Sequence, residues 1–141
     1  MFENPEDLLP HKEPFLFVDK ILQIEKGKKI VAQKIVREDE FWVEGHFPGN
    51  PVMPGVLLIE TIAQTCALLV LKTYPEFVGV AFYLVSVKEA KLKKIVRIGD
   101  RLIVESELIK RRGNFWFMKG RILCEGQEVA SCEISAFSDK K

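Results

Sequence analysis

The stretch GHFPGNPVMPG, Gly45 to Gly55, runs directly into VLLIETIAQTCALLVLK, Val56 to Lys72, and the reading of that junction decides the fold. The first segment holds three glycines and three prolines in eleven residues, with one of the chain's two histidines. The second is apolar almost throughout, with Glu60 and Gln64 as its chief polar interruptions. Pro54-Gly55 opens a helix, Val56 to Lys72 fits about seventeen helical residues, and Pro75 stands just beyond as a stop. A helix apolar on nearly every side is buried on most sides. The rest of the chain must wrap it.

The wrapping material reads as strands. Phe15 to Glu25 is rich in Phe, Val and Ile. Gly27-Lys28 marks a turn, and Lys29 to Val36 is a second strand. Phe41 to Val43 suggests a short third one. Val78 to Val87 is β-like. Asp100 to Lys110 alternates, with Leu102, Val104 and Leu108 on one face. Gly113-Asn114 is a hairpin signal between it and Phe115 to Cys124. Gly126 turns the chain into Val129 to Phe137, where Ala130, Cys132, Ile134 and Ala136 make one small apolar face. Strands run around one long helix predict an α+β fold with an antiparallel sheet. A length of 141 residues suits a single domain spanning 1–141. Wide sheet faces and an all-apolar helix also predict that a second subunit covers part of the surface.

Composition narrows the function. With 48% hydrophobic and 29% charged residues the chain reads as globular, and a net charge of +1 gives no global attraction to nucleic acid or anionic membranes. Cys66, Cys124 and Cys132 form no CxxC pair and sit in apolar segments. They read as buried small hydrophobes in a reducing compartment, with neither a metal site nor a disulfide expected. MFENPEDLLPHK is acidic, carries two prolines and lacks the features of a signal peptide. Val56 to Leu71 falls short of the ~20 apolar residues that span a bilayer, and Glu60, Thr61, Gln64 and Thr65 interrupt it. No membrane insertion and a cytoplasmic location are expected.

Three groups near the junction carry chemistry. Glu60 sits among Leu57, Ile59 and Ala63, where an unpaired charge costs several kcal/mol. It must find partners, face a cavity or stay protonated, and Gln64, one turn on, can hydrogen-bond it. A satisfied carboxylate at a subunit contact and a working acid are both open readings. His46 is either structural or a base, and the stiffness that Pro48, Pro51 and Pro54 impose on its loop favours a held base. Gly55 begins the helix, so its N–H has no intrahelical partner, and with no side chain to cover it the position suits an oxyanion hole. Base, acid and oxyanion donor within fifteen residues suit proton removal beside a carbonyl.

GHFPGNPVMPGVLLIETIAQ, Gly45 to Gln64, resembles the signature of the hot-dog-fold (3R)-3-hydroxyacyl-[acyl-carrier-protein] dehydratases of bacterial fatty acid synthesis. LLPHKEPFLFVD, Leu8 to Asp19, is similar to the family's N-terminal motif, and FYLVSVKEAKLKKIVRIGDRL, Phe82 to Leu102, matches a third block more loosely. The resemblance implies a central helix wrapped by an antiparallel sheet. It implies homodimers, often stacked as a trimer of dimers, with each active site at the dimer interface. It places the catalytic His on His46, the catalytic Glu on Glu60 and the oxyanion glycine on Gly55, with His and Glu of one site coming from opposite subunits. Phe47, Pro54 and Gln64 are their neighbours on the substrate side, and Tyr83 aligns with an aromatic that gates the acyl tunnel in some relatives. The implied reaction removes water from a 3-hydroxyacyl thioester, held by phosphopantetheine on acyl carrier protein, to give a trans-2-enoyl thioester, with no cofactor. Lys91, Lys93, Lys94 and Arg97, within a basic run from Lys88 to Arg101, are either a solvated strand face or a docking surface for the acidic carrier.

The third block has Lys94-Ile95-Val96-Arg97-Ile98 where the family often has prolines. Acyl length, carrier preference and the choice between general fatty acid synthesis and a specialised pathway therefore stay open. A hot-dog thioesterase, which would not need the His46 loop, is the alternative enzyme. A non-catalytic acyl-binding subunit is the alternative outside catalysis.

Overall fold

The computed structural model describes residues 2–140. After a single-turn helix α1 (Pro5–Leu8), two strands form a hairpin, β1 (Lys20–Glu25) and β2 (Lys29–Ile35). The helix α2 (Gly55–Thr73) follows, then β3 (Phe82–Leu92), β4 (Arg101–Arg112), β5 (Phe115–Cys124) and β6 (Gln127–Ser138). All six strands join one antiparallel sheet in the order β1-β2-β4-β5-β6-β3. The sheet curls around α2, the α+β arrangement expected from the sequence.

Helix α2 is nineteen residues long and is buried without a break from Gln64 to Leu71. By length and composition it could cross a membrane, but 67% of that span is inside the protein, so the sheet accounts for its apolar surface. Each Leu or Ile fully buried there contributes about 1.5–3 kcal/mol. The buried hydroxyls are satisfied within the helix: Thr61 donates to the Leu57 carbonyl at 2.7 Å and Thr65 to that of Thr61 at 2.9 Å. On β5, Gly120 lets the helix approach the sheet, since a Cβ there would lie 2.6 Å from Ile62 Cγ2. Ala130, Cys132 and Ile134 of β6 face inward, as their alternation predicts.

Three sequence expectations shift. Phe41 to Val43 is a turn, not a strand. Val43 N–H bonds back to the Glu40 carbonyl, and the N–H groups of Gly45 and His46 both bond to that of Trp42. Its hydrophobic residues reflect one anchor, the buried Trp42, beside an exposed Phe41. The first strand begins at Lys20 instead of Phe15, because Phe15 and Phe17 give main-chain groups to the Gln64 side chain. The strand expected at Val78 starts at Phe82, after a 3₁₀ turn at Pro75–Phe77 and a bend at Gly79 with φ +89°.

The two edges of the sheet differ. Strand β1 is short. Strand β3 is eleven residues long, has β6 as its one neighbour and exposes Tyr83, Leu84, Val85 and Val87 at 40–57%.

Candidate active site

His46 is held by main-chain atoms. Its N–H donates to the Trp42 carbonyl at 2.9 Å, and its own carbonyl accepts the Val52 N–H at 2.7 Å. Ring Nδ1 lies 2.7 Å from the Val52 carbonyl oxygen. A carbonyl only accepts, so Nδ1 carries the proton and Nε2 keeps the lone pair of a base. The Phe47 ring stacks on the imidazole, centroids 4.2 Å apart. The loop is closed by reciprocal N–H to carbonyl bonds between Phe47 and Asn50, and Arg97 donates to Asn50 Oδ1 at 2.8 Å.

Gly55 heads α2 directly after Pro54, whose carbonyl accepts the N–H groups of Leu57 and Leu58. The Gly55 N–H has no acceptor among the described residues. A Cβ at this position would lie 2.5 Å from Leu92 Cδ1, so any larger residue would have to displace the half-exposed Leu92 side chain. His46 and Gly55 line one open groove of about 280 Å³, edged by Leu92, Lys93 and Lys94.

Glu60 is held by side chains instead. Gln64 Nε2 donates to its Oε2 at 3.0 Å and to the Phe15 carbonyl at 3.0 Å. Gln64 Oε1 accepts the Phe17 N–H at 2.8 Å. Because Phe17 N–H can only donate, the amide orientation is settled and Oε2 of Glu60 is an acceptor. A proton on this carboxyl therefore sits on Oε1. His11 Nε2 stands 3.5 Å from the same Oε2. Burial pushes the His11 pKa below its ordinary value, against the opposing pull of the Glu60 charge. Its Nδ1 is buried without a hydrogen-bond partner among the described residues, so the ring has room for one more polar contact.

From Glu60 and His11 a narrow cavity of about 60 Å³ runs past Ala63, Ala67 and Val70 to Phe82 and Trp116. Cys66 lines it too, but burial pushes that thiol up to about 12, which makes it an inert wall and not a nucleophile. Among the described residues, the groove of His46 and the cavity of Glu60 share no lining residue within one chain.

Of the remaining candidates, Tyr83 lines neither space. It is 55% exposed and alternates with Phe82 and Leu84, which both face the cavity. Lys93 pairs with Glu128 and Lys94 with Gln127, both at the rim of the His46 groove. Lys91 lies apart, in a charged groove on the outer sheet face with Glu89, Glu105 and Arg121. His11 lies within the LLPHKEPFLFVD motif, where the sequence assigns it no task. The signal available was a histidine set between Pro10 and Pro14, two φ-fixing residues.

A sheet curled around one buried central helix defines a hot-dog fold. The chain belongs to the FabA-like domain family, which it matches over residues 9–133. It is 44% identical over 137 residues to the 3-hydroxyacyl-[acyl-carrier-protein] dehydratase FabZ of Anaeromyxobacter sp., covering 95% of this chain and 87% of that protein. It is 43% identical over 126 residues to the FabZ of Caldicellulosiruptor saccharolyticus, covering 85% and 89%. Among solved structures, the dehydratase heterocomplex ApeI:P from Xenorhabdus doucetiae superposes with a TM-score of 0.85 over 100% of this chain and 94% of that one, at 17% identity, a likeness of fold.

Proposed function

We propose that this chain, as one domain over 1–141, dehydrates (3R)-3-hydroxyacyl thioesters on acyl carrier protein to trans-2-enoyl thioesters. The observation that carries the reading is the fixed His46 tautomer, with a bare Nε2 in the same groove as the unpaired Gly55 N–H. The thioester carbonyl accepts the Gly55 N–H, which acidifies C2. His46 Nε2 takes the C2 proton, and the electron pair forms the C2–C3 double bond. The C3–O bond breaks as Glu60 gives its Oε1 proton to the hydroxyl, so that water leaves instead of hydroxide. Histidinium and carboxylate then exchange the proton through solvent.

The two lining sets are disjoint in one chain, which favours a site completed by a second copy. Strand β3 is the edge for that pairing: long, apolar and unpaired on its outer side. In such a homodimer His46 of one chain meets Glu60 of the other, and stacking of dimers to a trimer of dimers is a further step of the same reading. Lys93 and Lys94, and Arg97 through its hold on the loop, form the rim for the acidic carrier, with Lys91 more distant. The buried helix and the free thiols, of which Cys66 and Cys132 are buried, fit a cytoplasmic protein.

The test is direct: mix the protein with a crotonyl or 3-hydroxybutyryl thioester and follow enoyl absorbance, with His46→Ala as control. With the 3-hydroxybutyryl thioester, release of free thiol with no rise in enoyl absorbance would reject dehydration in favour of thioester hydrolysis.

A further inference from the structure

The core holds an ionic pair that the chemistry above does not use. Ile30, Ala32 and Lys34 share the inward face of β2, so an ammonium occupies one position of an apolar stripe. Lys34 is 0% exposed, and its Nζ lies 3.1 Å from Oε2 of Glu40, itself only 4% exposed at the side chain. A buried pair of this kind gains little over apolar side chains of equal size, because desolvation offsets the attraction. Its geometry shows what else it does.

Glu40 has no idle oxygen. Oε2 also accepts the Arg37 N–H at 2.7 Å, and Oε1 accepts the Trp42 indole N–H at 3.2 Å. Trp42 is the residue whose carbonyl receives the N–H groups of Gly45 and His46. On the other side, the Lys34 ammonium lies over the Phe17 ring, 5.8 Å from its centroid. Phe17 supplies the N–H that settles the Gln64 amide, which in turn holds Glu60. The pair thus stands between the supports of His46 and of Glu60.

We infer that the buried Lys34–Glu40 pair is a positioning element of the site, setting the His46 loop through Trp42 and the Glu60 clamp through Phe17. The inference rests on the dehydratase reading above. Neither residue touches reacting atoms. Since His46 and Glu60 of one chain serve opposite sites in that reading, each pair supports both sites of a dimer.

The test uses the full chain and Lys34→Met/Glu40→Gln, which removes both charges together and leaves none unpaired. Three quantities are read well below the thermal midpoint: kcat, KM for a short hydroxyacyl thioester, and the NMR signal of the His46 Nδ1 proton bound to Val52. Positioning predicts that kcat falls ~10- to 100-fold with KM within threefold, and that the Nδ1 signal moves or broadens. A merely structural pair would lower the thermal midpoint and leave kcat within twofold and the signal in place, which would overturn the inference. Should that variant not fold, Trp42→Phe decides: it removes the indole N–H together with some buried ring volume, and an unchanged kcat and Nδ1 signal would overturn the inference equally. A wild-type protein inactive on every hydroxyacyl thioester, with the His46 signal still moving in the variants, would sink the dehydratase reading and leave the positioning role standing.

Discussion

The loop Gly45–Pro54 and the helix Gly55–Thr73 hold their two key side chains in opposite ways. His46 is fixed by main-chain groups of Trp42 and Val52, four and six residues away in sequence. Glu60 is fixed by Gln64, which depends on Phe15 and Phe17, 49 and 47 residues away from it. His46 is held by local chain geometry and Glu60 by the assembled fold. Proline and glycine suffice for the first, because they restrict φ before any tertiary contact forms. The second exists only after the N-terminal segment has docked on α2.

The comparison breaks most sharply when either group is removed. His46→Ala and Glu60→Gln should each lower kcat by ~10² to 10⁴ while the protein stays folded. Near-normal turnover in either folded variant would remove that residue from the chemistry. A smaller effect is expected at the clamp. Gln64→Leu leaves the Phe17 N–H and the Phe15 carbonyl without partners, at about 1–3 kcal/mol for a buried group left unsatisfied. Its thermal midpoint should drop and its kcat should fall ~10-fold, less than for Glu60→Gln, because the carboxyl remains but is no longer aimed. If Gln64→Leu matched wild type in both, the side-chain clamp would be irrelevant to the acid.

Division of the two groups between chains predicts a twofold effect. A mixed dimer of His46→Ala and Glu60→Gln subunits carries both defects in one site and none in the other, so about half of wild-type activity should return. A purified mixed dimer as inactive as its parents would place both groups in one chain's site. The smallest effect concerns His11. Its pKa is lowered by burial, so on acidification the unfolded chain takes up a proton before the folded one does. Stability is therefore complete above the ordinary histidine value of about 6.5 and declines as pH falls below it. His11→Asn should flatten that part of a midpoint-versus-pH curve, and a slope identical to wild type would assign the acid sensitivity elsewhere.

The sequence by itself determined the elements whose causes are local. Pro54-Gly55 and Pro75 bracket the helix, the period of two in β4 and β6 names their inward faces, and the proline-stiffened loop marks His46 before any contact is known. Glu60 was legible for the same reason, as a carboxylate in an apolar run. Tertiary structure alone decided what those residues meet. Phe41 to Val43 turned instead of extending because Trp42 is anchored on Glu40, and Phe15 to Phe17 left the ladder because Gln64 occupies their main-chain groups. The same holds for His11 beside Glu60 and for the lysine buried in β2, which a strand pattern reads only as a polar interruption. Such contacts join side chains tens of residues apart. Their energy depends on burial and on orientation to within an ångström, neither of which leaves a spacing in the sequence.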